Sequence, residues 1–449
     1  MAKKMLFLFV LLLSLTGMLK AQVTTAGMSG KVMADEESVI GATVVAVHEP
    51  SGTSYGTVTN VDGRFSLQGM RSGGPYKVTV SYIGYQMAIY TGIQLQLGET
   101  YSLNVTLHEA SELLGEITIT ASKSKFSAEK TGATTNISSE QLTTLPSINR
   151  SISDFTRISP YASGNSFGGR DGRSNTFTVD GANLNNNFGL SSGLPGGGNP
   201  ISLDAIDEVQ VVIAPYDVRQ ANFIGAGINA ITKSGTNAYR GSAYMYFNNE
   251  VMRGNKIGDT DFGARAEESK TVYGATFGGP IIKDKLFFFA NVEYEKSPQQ
   301  VITWRAAKEG ETPNNSTISR TTEADLAEFS QILKGKYGYN TGSFTDFPAD
   351  VTNLKLLGRI DWNINQGNKL SVRYNFTNNK TWEAPNGSSG NTGYRLAYNR
   401  VSAYSMSYAN SCYSLQNIVN SATAELNSRF SSNVSNQLLF TYSDMKDER

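Results

Sequence analysis

The feature that most constrains the fold is a two-residue repeat in the second half of the chain. Apolar and polar residues alternate along residues 286–294, 354–364 and 370–377. This repeat places one apolar and one polar face on each strand, and spans of about 9–11 such residues suit a tilted membrane strand. A soluble sandwich has the same alternation, so the repeat alone leaves both folds open.

The connections between these segments favour the membrane fold. Tight turns near residues 283–284, 366–367 and 431–432 alternate with long connections at residues 248–270, 296–353 and 378–410. Short turns on one side and long loops on the other are typical of an outer-membrane barrel. We count about seven strands, the last at residues 437–443. A single-chain bacterial barrel has an even strand count and no open edge, so the pattern predicts only part of a barrel.

The N-terminus predicts export. Lys3 and Lys4 precede an apolar run at residues 5–15, and Leu19-Lys20-Ala21 precedes Gln22. This order is typical of a secretory signal peptide at residues 1–21 that is cleaved after Ala21. No later apolar run approaches the ~20 residues that a membrane helix needs. No cysteine follows the signal, which argues against a lipid anchor.

Composition narrows the function classes further. Cys412 is the single cysteine, so an intramolecular disulfide framework is excluded. The two histidines, His48 and His108, leave little material for a histidine metal site or a histidine-dependent nucleophile. Lys+Arg and Asp+Glu are equal at 39 each, so no basic surplus indicates nucleic acid. We expect no catalytic residue, no metal and no cofactor.

Three motifs suggest chemistry, and each has a simpler structural interpretation. They are Ser122 with Lys125, which matches a serine–lysine hydrolase pattern; residues 225–230, which match a dinucleotide fingerprint; and the acidic group Asp204, Asp207 and Glu208. Ser122 sits in polar linker sequence, residues 225–230 precede turn-forming sequence instead of a helix, and the acidic group begins a strand. We therefore expect none of them to be an active site.

Residues 22–109 predict a small β-sandwich of short strands separated by turn residues. Residues 41–70 and 75–85 resemble the carboxypeptidase regulatory-like domain, a transthyretin-like sandwich that carries no catalytic residues. Asn60, Asp62 and Gly63 can be read as a calcium loop or as a tight hairpin turn. The hairpin is favoured, because the remaining calcium-ligand spacing is missing.

Residues 110–135 are expected to hold a docking segment and a linker. The segment comprises Glu116, Ile117, Thr118, Ile119, Thr120 and Ala121. It resembles a TonB box, the extended segment by which TonB grasps an outer-membrane transporter from the periplasm. A β-branched stretch of this kind can add as an edge strand to a partner sheet through main-chain hydrogen bonds. The alternative is that it is the last strand of the preceding sandwich or part of the next sheet.

Residues 136–237 resemble the plug of TonB-dependent receptors, and residues 238–449 resemble the first part of their barrel. The plug resemblance rests on an Arg-Gly-like element, a strand reaching an Asp-Gly turn, and a glycine-rich closing segment. Its motif residues are Arg170, Gly172, Asp180, Gly181, Gly225 and Gly227. Residues 214–217 depart from the usual Arg-Gly-Pro and, with the Gly-Gly-Pro at residues 278–280, resemble the Oar-like branch. The family barrel has about 22 strands, so the resemblance implies that the barrel continues beyond these seven.

The predicted fold class is therefore all-β dominated, with an N-terminal transthyretin-like sandwich, an α+β plug and a partial transmembrane antiparallel barrel. The resemblance implies a receptor that imports a peptide, glycan or metal chelate with energy from the inner membrane. Its implied partners are TonB with the energising complex, an extracellular ligand and outer-membrane lipid, and a surface lipoprotein is a further candidate. A surface adhesin or glycan-binding protein without transport is the alternative.

Overall fold

The computed structural model describes residues 23–34, 36–109, 117–120, 133–147, 150–185, 194, 199–215, 217, 219–261, 268–298, 301–314, 317–384 and 401–449. The expected signal peptide lies outside these ranges. No helix within them is both long and apolar enough to cross a membrane.

The N-terminal part folds as two five-stranded sheets around one core. The strands are β1 (Ala26–Ala34), β2 (Glu37–Ser38), β3 (Thr43–His48), β4 (Thr53–Val58), β5 (Arg64–Met70), β6 (Gly73–Ser81), β7 (Ala88–Leu95), β8 (Thr100–Ser102), β9 (Val105–Leu107) and β10 (Ile117–Thr120). One sheet has the order β2-β1-β5, with β8 and β9 also pairing β1, and the other has the order β10-β7-β6-β3-β4.

Local sequence explains this sandwich well. Tyr76, Val78 and Val80 alternate along β6 and are fully buried in the core, as the two-residue repeat predicts. Between β4 and β5, the side-chain amide oxygen of Asn60 accepts hydrogen bonds from the backbone N–H groups of Asp62 and Arg64, at 3.0 and 2.8 Å. Gly63 has a φ of 70°, so this segment forms the predicted tight turn.

The plug is a five-stranded sheet with short helices beside it. Its strands and helices are β11 (Ala133–Ser138), α1 (Ser139–Thr144), α2 (Ile152–Thr156), β12 (Ala162–Ser163), β13 (Ser166–Phe167), β14 (Thr176–Val179), β15 (Ala182–Asn183), β16 (Ile206–Ala214) and β17 (Gly227–Thr232). The sheet order is β11-β16-β17-β14-β15, and β12 pairs only β13. Short 3-10 turns lie at Gly172–Ser174 and Leu203–Ala205.

A seven-stranded antiparallel sheet follows, and it confirms the expected strand number. In sheet order its strands are β18 (Arg240–Asn249), β21 (Ser269–Ile282), β22 (Leu286–Lys296), β25 (Thr352–Asn363), β26 (Asn368–Glu383), β27 (Tyr413–Arg429) and β28 (Ser435–Glu448). Its long connections contain β19 (Lys256–Ile257), β20 (Thr260–Asp261), β23 (Arg305–Ala307), β24 (Ile318–Thr322), α3 (Glu323–Tyr337) and 3-10 turns at Glu250–Met252 and Ala409–Ser411.

The alternation of short and long connections is confirmed, whereas the predicted strands are shorter than the observed ones. The last strand extends well beyond residues 437–443, and β27 reaches 17 residues. The physical reason is that strands β26 and β27 stay paired up to Glu383 and Tyr413, beyond the span that a membrane requires. Strands β18 and β28 are not paired with each other, so the sheet is an open part of a barrel.

Burial in this sheet is the reverse of that in a water-soluble protein. On β25 the apolar residues Leu356, Ile360 and Trp362 are 38%, 48% and 42% exposed. The intervening charged residues, Lys355 and Arg359, are only 2% and 7% exposed. Charged side chains are rarely buried unless they are paired, and a lipid-facing surface needs apolar ones. The outer face is therefore built for lipid and the inner face for polar contacts.

This face assignment can be tested at Leu356. We expect Leu356→Lys to lower the free energy of unfolding of the full-length protein in lipid vesicles by about 2 kcal/mol or more, because it places a charge in the hydrocarbon. The matched control is Ile332→Lys on the exposed side of α3, where a change within about 0.5 kcal/mol is expected. Urea unfolding followed by tryptophan fluorescence measures both. Equal losses in the two variants would contradict the lipid-facing assignment.

Candidate functional site

The structure describes four of the six residues of the predicted box. Ile117–Thr120 form β10, which pairs in parallel with β7, with Ile117 opposite Ala88 and Thr120 opposite Thr91. Glu116 and Ala121 lie outside the described residues. The segment is therefore an extended edge strand, and its neighbour is the second sheet of the N-terminal sandwich.

The plug motif residues fall into two groups. Asp180 and Gly181 form the first group, at the carboxyl end of β14, where Ala230 of β17 lies opposite Val179. The other motif residues lie toward the amino end of β14: Arg170 and Gly172 precede this strand, Gly227 is opposite Thr176, and the backbone N–H of Gly225 donates to the carbonyl of Ser174 at 3.1 Å. There Gly172 begins a 3-10 turn that is capped by the side chain of Asp171.

Asp180 begins the turn that follows β14. It is 2% exposed and has a φ of 49°, and Gly181 follows with a φ of 82°. The backbone N–H and the hydroxyl of Thr232 donate hydrogen bonds to its carboxylate at 3.0 and 2.7 Å. A β-carbon at Gly181 would lie 2.7 Å from a methyl carbon of Leu439 on β28, so glycine lets the plug turn approach the barrel wall.

The glycine-rich segment before β17 has a local role. The side-chain oxygen of Asn175 accepts a hydrogen bond from the backbone N–H of Ala226 at 2.9 Å. A β-carbon at Gly225 would overlap that same oxygen. Gly227 is the first residue of β17, so residues 225–230 lead into a strand and not into the helix that a dinucleotide site needs.

Charged side chains of the barrel interior surround Asp180. Its carboxylate lies 3.6 Å from Nε of Arg373 and 4.0 Å from a guanidinium nitrogen of Arg359. Arg373 also pairs with Glu425 at 2.9 Å, and Arg359 with Asp361 at 2.8 Å. All five groups are buried. Removal of any one member of such a buried network leaves a charge unpaired, so the loss of a single partner is strongly destabilising.

The N-terminal sandwich is docked on the same network. The Thr24 hydroxyl donates a hydrogen bond to Glu425 at 2.9 Å, and the guanidinium of Arg71 lies 3.5 Å from the carboxylate of Asp361. The side-chain amide of Asn363 donates to the hydroxyl of Thr53 at 2.9 Å. Asn363 ends β25 at a short turn, so the sandwich lies at the short-turn end of the barrel.

A second contact joins the sandwich to the plug. The backbone N–H of Leu97 donates to both carboxylate oxygens of Glu208, at 3.0 and 3.1 Å. The carbonyl of Leu97 accepts from the side chain of Asn136 at 3.2 Å. Burial raises the pKa of Glu208 to about 8, and the nearby carboxylates of Asp207 and Glu99 act in the same direction.

Sequence reasoning did not identify Arg71, Glu208, Arg359, Arg373 or Glu425 as site residues. A signal was present for the barrel pair, because Arg359 and Arg373 lie on the polar faces of predicted membrane strands. Arg71 and Glu208 lack such a signal, since their contacts with Asp361 and Leu97 join residues more than one hundred positions apart in different domains. Ser122 and Lys125 lie outside the described residues. Within those described, no cluster of side chains suited to a metal ion is present.

The Glu208 contact predicts a pH dependence. Burial raises the pKa of Glu208 in the folded protein above its ordinary value of 4.5. The free energy that stabilises the folded contact therefore decreases as the pH rises above 4.5, and the decrease is complete above about pH 8. We therefore expect hydrogen-exchange protection of residues 96–98, corrected for intrinsic rates, to fall between pH 6 and pH 9 in the full-length protein. Glu208→Gln keeps a neutral side chain of similar size and should remove this change. An equal fall in that variant would show that another group is responsible.

Comparison with known proteins agrees with this architecture. Residues 27–108 match the family described as carboxypeptidase regulatory-like domain, and residues 231–448 match outer membrane beta barrel domain. Over 344 residues the chain is 25% identical to the TonB-dependent transporter Oar of Myxococcus xanthus, a match that covers 72% of this chain and 30% of that transporter. The chain thus spans about 30% of the length of this relative.

Two receptors of Pseudomonas aeruginosa are among the solved structures that match part of the chain. The ferric enterobactin receptor PfeA, in complex with BCV-L6, is 14% identical with a TM-score of 0.44, covering 71% of this chain and 42% of that one. The siderophore receptor PirA is 14% identical with a TM-score of 0.41, covering 71% and 43%.

Taken with the reversed burial of the seven-stranded sheet, the two family matches define an outer-membrane β-barrel protein with an N-terminal carboxypeptidase regulatory-like domain. The resemblance to the Oar-like TonB-dependent receptors is confirmed by the identity to Oar. The expected location in the outer membrane is confirmed as well.

Proposed function

We propose that this protein is a TonB-dependent receptor that imports a ligand across the outer membrane with energy transmitted from the inner membrane. The observation that carries the proposal is the order of parts along one chain. A sandwich, an extended strand, a plug and a lipid-facing sheet follow one another, and the plug contacts the inner face of that sheet through buried ion pairs. The division into residues 22–109, 110–135, 136–237 and 238–449 belongs to the same proposal.

In this proposal residues 116–121 are the segment that TonB binds. The described part, Ile117–Thr120, is already an extended strand, which is the conformation that strand addition requires. The N-terminal sandwich lies at the short-turn end of the barrel, so β10 lies on the periplasmic side. A segment there can be reached by a protein anchored in the inner membrane.

The plug in turn is the part that must move for transport. The plug is held against the barrel by ion pairs, in which Asp180 of the plug lies opposite Arg373 of the barrel. Ion pairs between two preformed surfaces can be separated and remade without unfolding either one, provided that water enters as they part. A peptide, glycan or metal chelate is the proposed ligand class, and a surface lipoprotein is a candidate partner.

The box assignment is tested by Ile119→Pro. Proline removes a backbone N–H and disrupts strand pairing, so we expect the purified periplasmic domain of the cognate TonB to bind the full-length protein at least about tenfold more weakly. Ile119→Ala is the matched control and should change affinity by less than about threefold, because the main chain supplies most of the contact. Surface plasmon resonance on the detergent-solubilised protein measures both.

The amount of folded protein in the outer membrane is measured beside the affinity. Unchanged TonB binding by the proline variant would end the assignment of residues 116–121. A loss of folded protein from the membrane would instead favour a structural role for this strand.

A further inference from the structure

Strand β10 is an addition to the regulatory-like domain. The family match ends at residue 108, whereas β10 begins at Ile117. It nevertheless joins the sheet of that domain, with four consecutive residues in register with Ala88, Ile89, Tyr90 and Thr91 of β7. The domain therefore supplies an edge on which the following segment is held in extended form.

Only one side of β10 is used in this pairing. Successive backbone N–H and C=O groups of a strand point to opposite sides, so about half of those in β10 face β7 and the rest face away. In the sheet order β10 is the terminal strand, and no strand among the described residues pairs its outer side. Such an open edge is a template for a strand from another chain.

We infer that the regulatory-like domain presents the box to TonB as a preformed edge strand, and that a strand of TonB adds to the outer side of β10 while β10 stays paired with β7. The partner surface is thus a continuous sheet shared by two proteins. This inference rests on the proposed function, because it takes residues 116–121 as the box. It differs from a mechanism in which the segment must first be released.

Preformed structure reduces the cost of binding. A flexible segment loses backbone freedom when it is ordered as a strand, whereas β10 has already lost that freedom in the folded protein. The domain is itself fixed to the barrel and the plug through Thr24, Arg71 and Leu97. A force applied at β10 therefore reaches the plug through the contact of Leu97 with Glu208 as well as through the chain that follows.

A reversible cross-link distinguishes presentation from release. Thr91 and Thr120 are Cα partners, and paired strands lie about 4.8 Å apart, within the Cα separation of about 4.4–6.8 Å that a disulfide spans. We expect Thr91→Cys with Thr120→Cys, in a Cys412→Ser background, to form a disulfide in the full-length protein. The pair Thr91→Cys with Thr118→Cys is out of register by two residues and is the control that should not close.

TonB binding is then compared before and after reduction. We expect the oxidised protein to bind the periplasmic domain of TonB as tightly as the reduced protein, or up to about tenfold more tightly. A loss of about tenfold or more that dithiothreitol restores would overturn the inference, since the box would then have to leave β7. Failure of the in-register pair to close would also overturn it.

The outcome for the proposed function is separate. If the oxidised protein loses TonB binding while the reduced protein binds strongly, the inference that β10 is presented while paired with β7 is wrong. The assignment of residues 116–121 as the box then still stands. Absence of TonB binding by both the reduced protein and the wild type removes the proposed function, and this inference with it.

Discussion

The structure depends on charged groups that are buried on the inner face of a sheet whose outer face is apolar. Arg359, Arg373 and Glu425 cannot face lipid, and they can be buried only if other charges and hydrogen bonds pair them. The plug provides Asp180, and the regulatory-like domain provides Thr24 and Arg71. The barrel already pairs Arg373 with Glu425 and Arg359 with Asp361, and the plug and the regulatory-like domain complete the network, so the three parts of the chain stabilise one common arrangement.

Much of the fold follows from local sequence. The two-residue repeat and the turn residues are properties of neighbouring positions, and they predicted seven strands and the alternating connections. Strand ends were predicted less well, since pairing beyond the membrane depends on the partner strand. The plug residues Asp180 and Gly181 were recognised by resemblance, and their conformations, with φ of 49° and 82°, show why a short polar residue and a glycine occupy this turn.

The contacts between domains could not be predicted in this way. Leu97 contacts Glu208 through a backbone N–H, which any residue except proline could supply, so the residue type at position 97 does not indicate the contact. Glu208 itself looked like an ordinary acidic residue near the start of a strand. The pairing of β10 with β7 depends on backbone groups too. Both interpretations of residues 116–121, as a TonB box and as a last strand of the sandwich, agree with the observed strand.

The position of the regulatory-like domain also bears on leakage. Because Thr53 and Arg71 contact barrel residues next to the short turns, part of the inner exit of the barrel lies behind this domain. Under the proposed function, a solute that passed the plug would meet this domain as a second barrier before it entered the periplasm. Two barriers in series can open one after the other, so under the proposed function the passage of a large ligand need not create a continuous aqueous pore.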